Sequence, residues 1–179
     1  MRRSMSRART VGAATMLWLL VAAALPVQAE ELRSLALSGG VFRFNKPDKQ
    51  VEVGAELRLP TQTWMLVVAT GIYYAAEGSF YGFGGLRRDF SLGGRWQLTP
   101  GFGVALYEEG SGMDLGGLIE FRTMLEISHQ WPQGKRLGAA VYHLSNASLY
   151  DHNPGSNSVI VTYSFPVWPK RPASVPAEP

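Results

Sequence analysis

The chain has 179 residues, no cysteine, a formal net charge of +3 and a sequence pI of about 9.3. The absence of cysteine excludes a disulfide framework, a thiolate nucleophile and thiolate metal ligands. The three histidines, His129, His143 and His152, are scattered along the sequence and do not form a metal-binding motif. A net positive charge would indicate nucleic-acid binding only if the basic residues belonged to the folded domain.

Residues 1–29 have the pattern of an export signal. Four arginines precede an apolar run at 11–25, and residues 27–29 form a small-residue cleavage site after Pro26. A retained membrane anchor is the alternative, but the apolar run is shorter than the roughly 20 residues that a spanning helix needs. Removing the signal takes four of the 17 basic residues and none of the 14 acidic ones, so residues 30–179 have a net charge of −1. This excludes nucleic acid as an expected partner.

Apolar and polar residues then alternate in segments of roughly ten residues separated by turn-forming residues, a pattern typical of a membrane β-barrel. An even strand number puts both termini on the periplasmic side, with short periplasmic turns and longer external loops. We predict an all-β protein with a signal peptide at 1–29, an eight-stranded antiparallel outer-membrane β-barrel at 30–167 and a disordered proline-rich tail at 168–179. The predicted strands are 32–44, 51–59, 62–75, 79–92, 95–107, 118–129, 135–147 and 156–167.

A soluble lipocalin-like barrel shows the same alternation as a membrane barrel. The two differ in direction, because the apolar row points inward in the soluble barrel and outward in the membrane barrel. Aromatic residues near predicted strand ends favour the membrane, where they would form interfacial girdles; these are Trp64, Tyr73, Tyr74, Trp96, Tyr107 and Trp131. The apolar row is therefore expected to face lipid, represented by Val53, Leu57, Phe121, Leu125, Val141 and Val161. The charged row is expected to fill the interior, represented by Glu56, Arg58, Glu120, Arg122 and Glu126.

The segment His143-Leu144-Ser145-Asn146-Ala147 carries the most informative pattern. His143 and Ser145 end an apolar row on one strand, and Asn157 ends an apolar row on the next. Side chains two residues apart on a strand face are roughly 6.5–7 Å apart at the backbone, so an imidazole can reach the hydroxyl. Histidine as general base and serine as nucleophile would then form an acyl-enzyme. The simpler alternative is a pair of ordinary polar residues at a strand end.

This segment resembles the lipid A 3-O-deacylase (PagL) family of outer-membrane acyl-ester hydrolases, whose last two strands carry a His-x-Ser-Asn-Ala motif. The resemblance is specific from about Phe121 to Phe165. It implies His143 as the base and Ser145 as the nucleophile. It further implies supporting roles, with Phe121 on the preceding strand as a site-shaping residue and Asn146 and Asn153 as oxyanion-hole or site-shaping residues.

One position departs from the family pattern. The best-known members have a glutamate where Asn157 stands, and that residue orients the histidine. Asparagine accepts a hydrogen bond from imidazole but adds no charge to stabilise an imidazolium. In the serine-protease triad an acid-to-amide change lowers turnover about 10⁴-fold, although Cys-His-Asn sites use asparagine in this role. Asp151 and His152, in the same loop, are the alternatives to Asn157.

The resemblance implies hydrolysis of an ester-linked 3-O-hydroxyacyl chain of lipid A in the outer leaflet of a bacterial outer membrane, with no cofactor and no metal. The second hypothesis is a catalytically silent barrel with a structural or lipopolysaccharide-binding role. A small pore is a third, disfavoured because side chains fill the interior of an eight-stranded barrel. The sequence leaves open whether the barrel forms a homodimer.

Overall fold

The computed structural model describes residues 33–61 and 64–168, the side chain of Trp168 excepted. The predicted signal peptide and tail lie outside these residues, apart from Trp168, which ends the last strand. No described residue belongs to a helix that could cross a membrane. The strands are β1 (Arg33–Phe42), β2 (Gln50–Pro60), β3 (Leu66–Ala75), β4 (Phe80–Arg88), β5 (Phe90–Gly93), β6 (Trp96–Glu108), β7 (Ile119–Gln130), β8 (Arg136–Ser145) and β9 (Ser156–Trp168).

The strands form one closed antiparallel barrel. β1 pairs with β2 and β9, and β4 pairs with β6, which closes the sheet. β4 and β5 are two parts of one wall strand, interrupted at Asp89, and β5 pairs only with β6. The wall therefore has eight strands, and the predicted eight-stranded antiparallel barrel is confirmed. The predicted strand 79–92 is interrupted at Asp89, whose carboxylate accepts hydrogen bonds from Thr99 and Arg136, each at 2.6 Å.

The predicted direction of the two faces is confirmed. All five representative charged residues are at most 5% exposed, while Val53, Leu125, Val141 and Val161 are between 45% and 56% exposed. Leu57 and Phe121 lie on the outer face and are partly buried. The arrangement is that of a membrane barrel, since a soluble barrel would place its charges outside and its apolar row inside.

The aromatic girdle was predicted wrongly at two positions. Tyr73 and Tyr107 are only 2% and 4% exposed and point into the barrel. The Tyr73 ring stacks on Tyr81 at 5.1 Å, and the Tyr107 hydroxyl donates to the Met113 carbonyl. Tyr74, next to Tyr73, is 50% exposed because successive residues of a strand point to opposite faces.

Two arginines and two glutamates from three strands form an ion-pair network across the interior. The Arg58 guanidinium donates to Glu56 at 2.8 Å and to Glu126 at 2.9 Å. The Arg87 guanidinium donates to the same two carboxylates. Because these side chains fill the middle of the barrel, the network argues against the pore hypothesis.

Aromatic rings hold a third arginine in the interior. The Arg122 guanidinium carbon lies 3.7 Å from the Tyr142 ring centroid and 4.0 Å from that of Phe83. Tyr73 lies at 5.2 Å, and its hydroxyl accepts a hydrogen bond from Arg122. Cation–π contacts of this kind are strongest where water is excluded. The Arg122 guanidinium and the rings of Tyr73 and Tyr142 therefore stabilise one another inside the barrel.

The two ends of the barrel differ in their connections. The loop rim has the connections at 43–49, 76–79, 109–118 and 146–155. The terminal rim has the start of β1, the end of β9 and the connections at 61–65, 94–95 and 131–135. The three longest connections, 43–49, 109–118 and 146–155, are all at the loop rim, as expected of external loops.

The network predicts a contrast between two buried carboxylates on the inward face of β7. Glu126→Gln leaves Arg58 and Arg87 with one fewer carboxylate, which we expect to lower the free energy of unfolding by about 3 kcal/mol or more. Glu120→Gln is the matched control, because Glu120 forms no ion pair among the described residues. Urea unfolding in detergent, followed by heat-modifiable gel mobility, measures both. Equal losses in the two variants would contradict a stabilising role for the network.

Candidate active site

His143 and Asn157 are cross-strand partners on the lipid-facing wall near the loop rim. The β8–β9 register places them directly opposite each other. The His143 Nδ1 and Asn157 Oδ1 atoms are 2.9 Å apart. Since Oδ1 can only accept, Nδ1 carries the proton in this hydrogen bond. In a neutral imidazole with this tautomer, the other ring nitrogen, Nε2, is the unprotonated atom that can act as a base.

Ser145 lies two residues beyond His143 on the same outward face of β8 and is partly buried. The alternation therefore brings both predicted catalytic side chains to one face, with Asn157 beside them. No hydrogen bond joins His143 to Ser145 among the described residues. In free enzymes, catalytic hydrogen bonds are often long, and they tighten only when substrate binds. His143, Ser145 and Asn157 are residue types used in nucleophilic acyl transfer, and they lie next to an apolar wall.

Phe121 provides the apolar surface beside the serine. It is the cross-strand partner of Ser145 in the β7–β8 register. Its ring stacks with that of Phe102 on β6, with centroids 6.0 Å apart and an interplanar angle of 17°. Below His143 the outward face of β8 continues as Val141, Ala139 and Leu137, all exposed. An acyl chain lying along this wall would pass His143 next to the hydroxyl and then meet the apolar side chains of β8.

Asn146 turns inward and is fully buried, so it lies on the opposite face from Ser145. Its amide nitrogen donates to the carbonyls of Leu115 and His152 at 3.0 and 2.8 Å. Its Oδ1 accepts from the backbone N–H of Ser148 at 3.0 Å, and its own N–H donates to Asn153 Oδ1 at 3.2 Å. These bonds tie the 146–155 loop to the 109–118 loop.

The alternatives to Asn157 are placed differently. The side chains of Asp151 and His152 are exposed, and neither contacts His143 within the described part of the chain. His152 contributes through its backbone carbonyl, which accepts from Asn146. No three His, Asp or Glu side chains of the described residues are grouped so that they could hold a metal ion.

Gly155 contacts the site and is not among the site residues predicted from the sequence. It has a φ of +59°, and a Cβ built on it would lie 3.2 Å from His143 Cε1 and 3.8 Å from Nε2. A side chain there would press on the Cε1–Nε2 edge of the imidazole, next to the Nδ1 atom that bonds Asn157. Its place two residues before Asn157 is the signal that could have identified it.

Comparison with known proteins supplies the family. Residues 41–166 match the family profile described as "Lipid A 3-O-deacylase (PagL)". The chain belongs to this family. The match covers most of the chain, including every residue placed at the site.

Solved structures show the same fold for this PagL-family chain. It is similar to "Crystal structure of the outer membrane enzyme PagL" at 18% identity, with a TM-score of 0.64, covering 75% of this chain and 99% of that one. It is also similar to "Crystal structure of Neisserial surface protein A (NspA)" at 10% identity, with a TM-score of 0.57, covering 77% and 97%. A comparison with curated protein sequences finds no match. The fold and family identify an outer-membrane β-barrel protein.

Proposed function

We propose that the protein hydrolyses an ester-linked 3-O-hydroxyacyl chain of lipid A, with Ser145 as nucleophile and His143 as base. The observation that carries the proposal is the hydrogen bond between His143 Nδ1 and Asn157 Oδ1, on a lipid-facing strand face that also presents Ser145. The family supplies the substrate class. The loop rim would face the outside of a bacterial cell, where lipid A forms the outer leaflet.

The reaction would proceed in two acyl transfers. Ser145 Oγ attacks the ester carbonyl carbon as its proton passes to His143 Nε2. The tetrahedral intermediate collapses, the bond to the sugar oxygen breaks, and that oxygen takes the proton from Nε2. Water then attacks the acyl-serine ester with the same base, releasing the hydroxy fatty acid and restoring Ser145. No step needs a cofactor.

We assign supporting roles to the remaining site residues. Asn157 holds His143 in the tautomer whose Nε2 is a base. Asn146 and Asn153 shape the loop above the serine. The side-chain hydrogens of Asn146 are already donated to loop carbonyls, so this side chain is not assigned to the oxyanion. Phe121 lines the path of the acyl chain. The backbone N–H groups of Asn146 and Ser148 are already donated within the loop, so the N–H of Ala147 is the candidate donor to the oxyanion.

The second candidate function is a catalytically silent barrel that binds lipopolysaccharide or supports the membrane. Asn157 favours it, because an amide gives an imidazolium less stabilisation than the glutamate of the best-known family members would. Release of a 3-hydroxy fatty acid from purified lipopolysaccharide distinguishes the two functions. A silent barrel binds lipopolysaccharide and releases none.

Ser145→Ala should abolish fatty acid release without unfolding the protein. The substitution removes one oxygen at a strand end, where little packing depends on it, and removes the proposed nucleophile. The assay is fatty acid release from lipopolysaccharide in detergent, and heat-modifiable gel mobility is the folding control. Undiminished release by a folded variant would eliminate the serine mechanism.

Substitutions at Asn157 test its orienting role. Asn157→Glu should hold or raise turnover, since a carboxylate accepts the same hydrogen bond and stabilises the imidazolium. Asn157→Ala should lower turnover, because His143 loses its Nδ1 partner. Initial rates of release at saturating substrate measure both. A steep loss in the glutamate variant, with the alanine variant unaffected, would show that Asn157 does not orient the base.

Gly155 is proposed as a positioning residue for His143. Gly155→Ala should lower kcat about ten-fold with little change in KM, because the added methyl displaces the imidazole by a few tenths of an ångström. Gly94→Ala is the matched control, since Gly94 has a φ of +58° but nothing within 4 Å of a built Cβ. The control carries the same backbone strain and should keep parental kcat. Equal losses of kcat in both variants would attribute the effect to strain alone.

A further inference from the structure

Three exposed basic side chains near the terminal rim have no acidic partner among the described residues. They are Arg88 at the end of β4, Arg95 in the turn before β6 and Lys135 in the turn before β8. Asp89 is the one acidic residue in 86–98 and 128–138. Its carboxylate turns inward and pairs with Arg136 at 2.6 Å. The three cations, here called the basic collar, therefore lie at the rim opposite the candidate active site without an acidic partner in the part of the chain that the structure describes.

Aromatic side chains lie between these cations on the outer wall. The Arg88 guanidinium lies over the Phe90 ring, 5.1 Å from its centroid. The His129 ring makes edge contacts with Trp96 at 5.3 Å and with Trp131 at 5.0 Å. Aromatic rings of this kind sit at the level of lipid headgroups. The basic collar thus lies at the depth of the headgroup phosphates.

The β5 segment extends this surface towards the terminal rim. It pairs only with β6, and all four of its residues are exposed, including Phe90 at 44% and Leu92 at 53%. Trp96, at the start of β6, is 50% exposed. The apolar wall therefore continues through the β5 segment towards the terminal rim. Arg88 precedes this segment in the chain, and Arg95 follows it.

We propose that the basic collar binds the phosphate of anionic glycerophospholipid headgroups in the leaflet opposite the one that presents lipid A. The occupant follows from charge and depth, because the three cations are exposed, have no acidic partner within residues 33–61 and 64–168, and lie beside aromatic side chains. This contact is separate from ester hydrolysis and does not depend on Ser145. It holds the barrel at a fixed depth and favours one orientation in an asymmetric membrane.

The tryptophans provide a reporter confined to this rim. The chain has five, of which Trp18 belongs to the predicted signal peptide. The other four, Trp64, Trp96, Trp131 and Trp168, lie in connections or strand ends of the terminal rim. Quenching of tryptophan fluorescence by brominated lipid therefore measures lipid occupancy at the terminal rim, with no contribution from the loop rim.

The experiment compares quenching by brominated phosphatidylglycerol and brominated phosphatidylcholine in vesicles containing the refolded protein. We expect a preference of at least about five-fold for phosphatidylglycerol, since each basic side chain at an anionic surface contributes roughly that factor. The preference should fall at high salt, because added ions screen exposed charges. Equal quenching by the two lipids would overturn the proposal.

Variants locate the effect. Combined Arg88→Gln, Arg95→Gln and Lys135→Gln should remove the preference, and each single substitution should reduce it. Lys46→Gln with Lys49→Gln, two exposed basic residues of the loop rim, should leave it unchanged. Parental heat-modifiable mobility confirms insertion in each case. A preference retained by the combined variant, or lost in the loop-rim control, would overturn the assignment to the basic collar.

Discussion

The structure depends on the confinement of charge to the interior of the barrel. Arg58 and Arg87 each bridge Glu56 and Glu126, so charges from three wall strands neutralise one another away from the lipid. An unpaired arginine or lysine on the outer wall would cost about 2–4 kcal/mol at the bilayer midplane. With the charges paired inside, the outer wall is free to be apolar from the terminal rim almost to the loop rim.

The proposed chemistry follows from that apolar wall. Acyl chains of a lipid in the same leaflet already lie against β7 and β8, so a serine on this face meets an ester without an internal binding pocket. The neutral amide of Asn157 suits the position, because a carboxylate facing lipid would itself need compensation for lost hydration. In the proposed reaction, this amide would give the imidazolium less stabilisation than a carboxylate would.

Much of this arrangement could be predicted from the sequence, because the period of two in a strand determines which side chains share a face. That rule placed His143 with Ser145 and sent Glu120, Arg122 and Glu126 inward. It was least informative where alternation is poor. Tyr73 and Tyr74 are adjacent and both aromatic, and only the register of β3 shows that the first fills the interior while the second faces lipid.

Other features depend on contacts between distant parts of the chain. The Asp89 carboxylate, at the break between β4 and β5, accepts hydrogen bonds from Thr99 and Arg136. No local pattern in the sequence reveals these partners. The partners of Asn146 come from two loops, and one of them, Leu115, is 31 positions away. The closeness of Gly155 to the imidazole edge arises from the path of the 146–155 loop. Alternation predicts faces, whereas these contacts require the closed barrel.

We propose that Ser145 is a nucleophile activated by His143 on the lipid-facing wall. Covalent labelling of the refolded protein with a long-chain fluorophosphonate, followed by mass spectrometry of its peptides, tests this proposal. We expect a single phosphonate adduct on Ser145, formed much more slowly in a folded His143→Ala variant. An adduct on another residue, or fatty acid release from lipopolysaccharide that persists after labelling of Ser145 is complete, would contradict it.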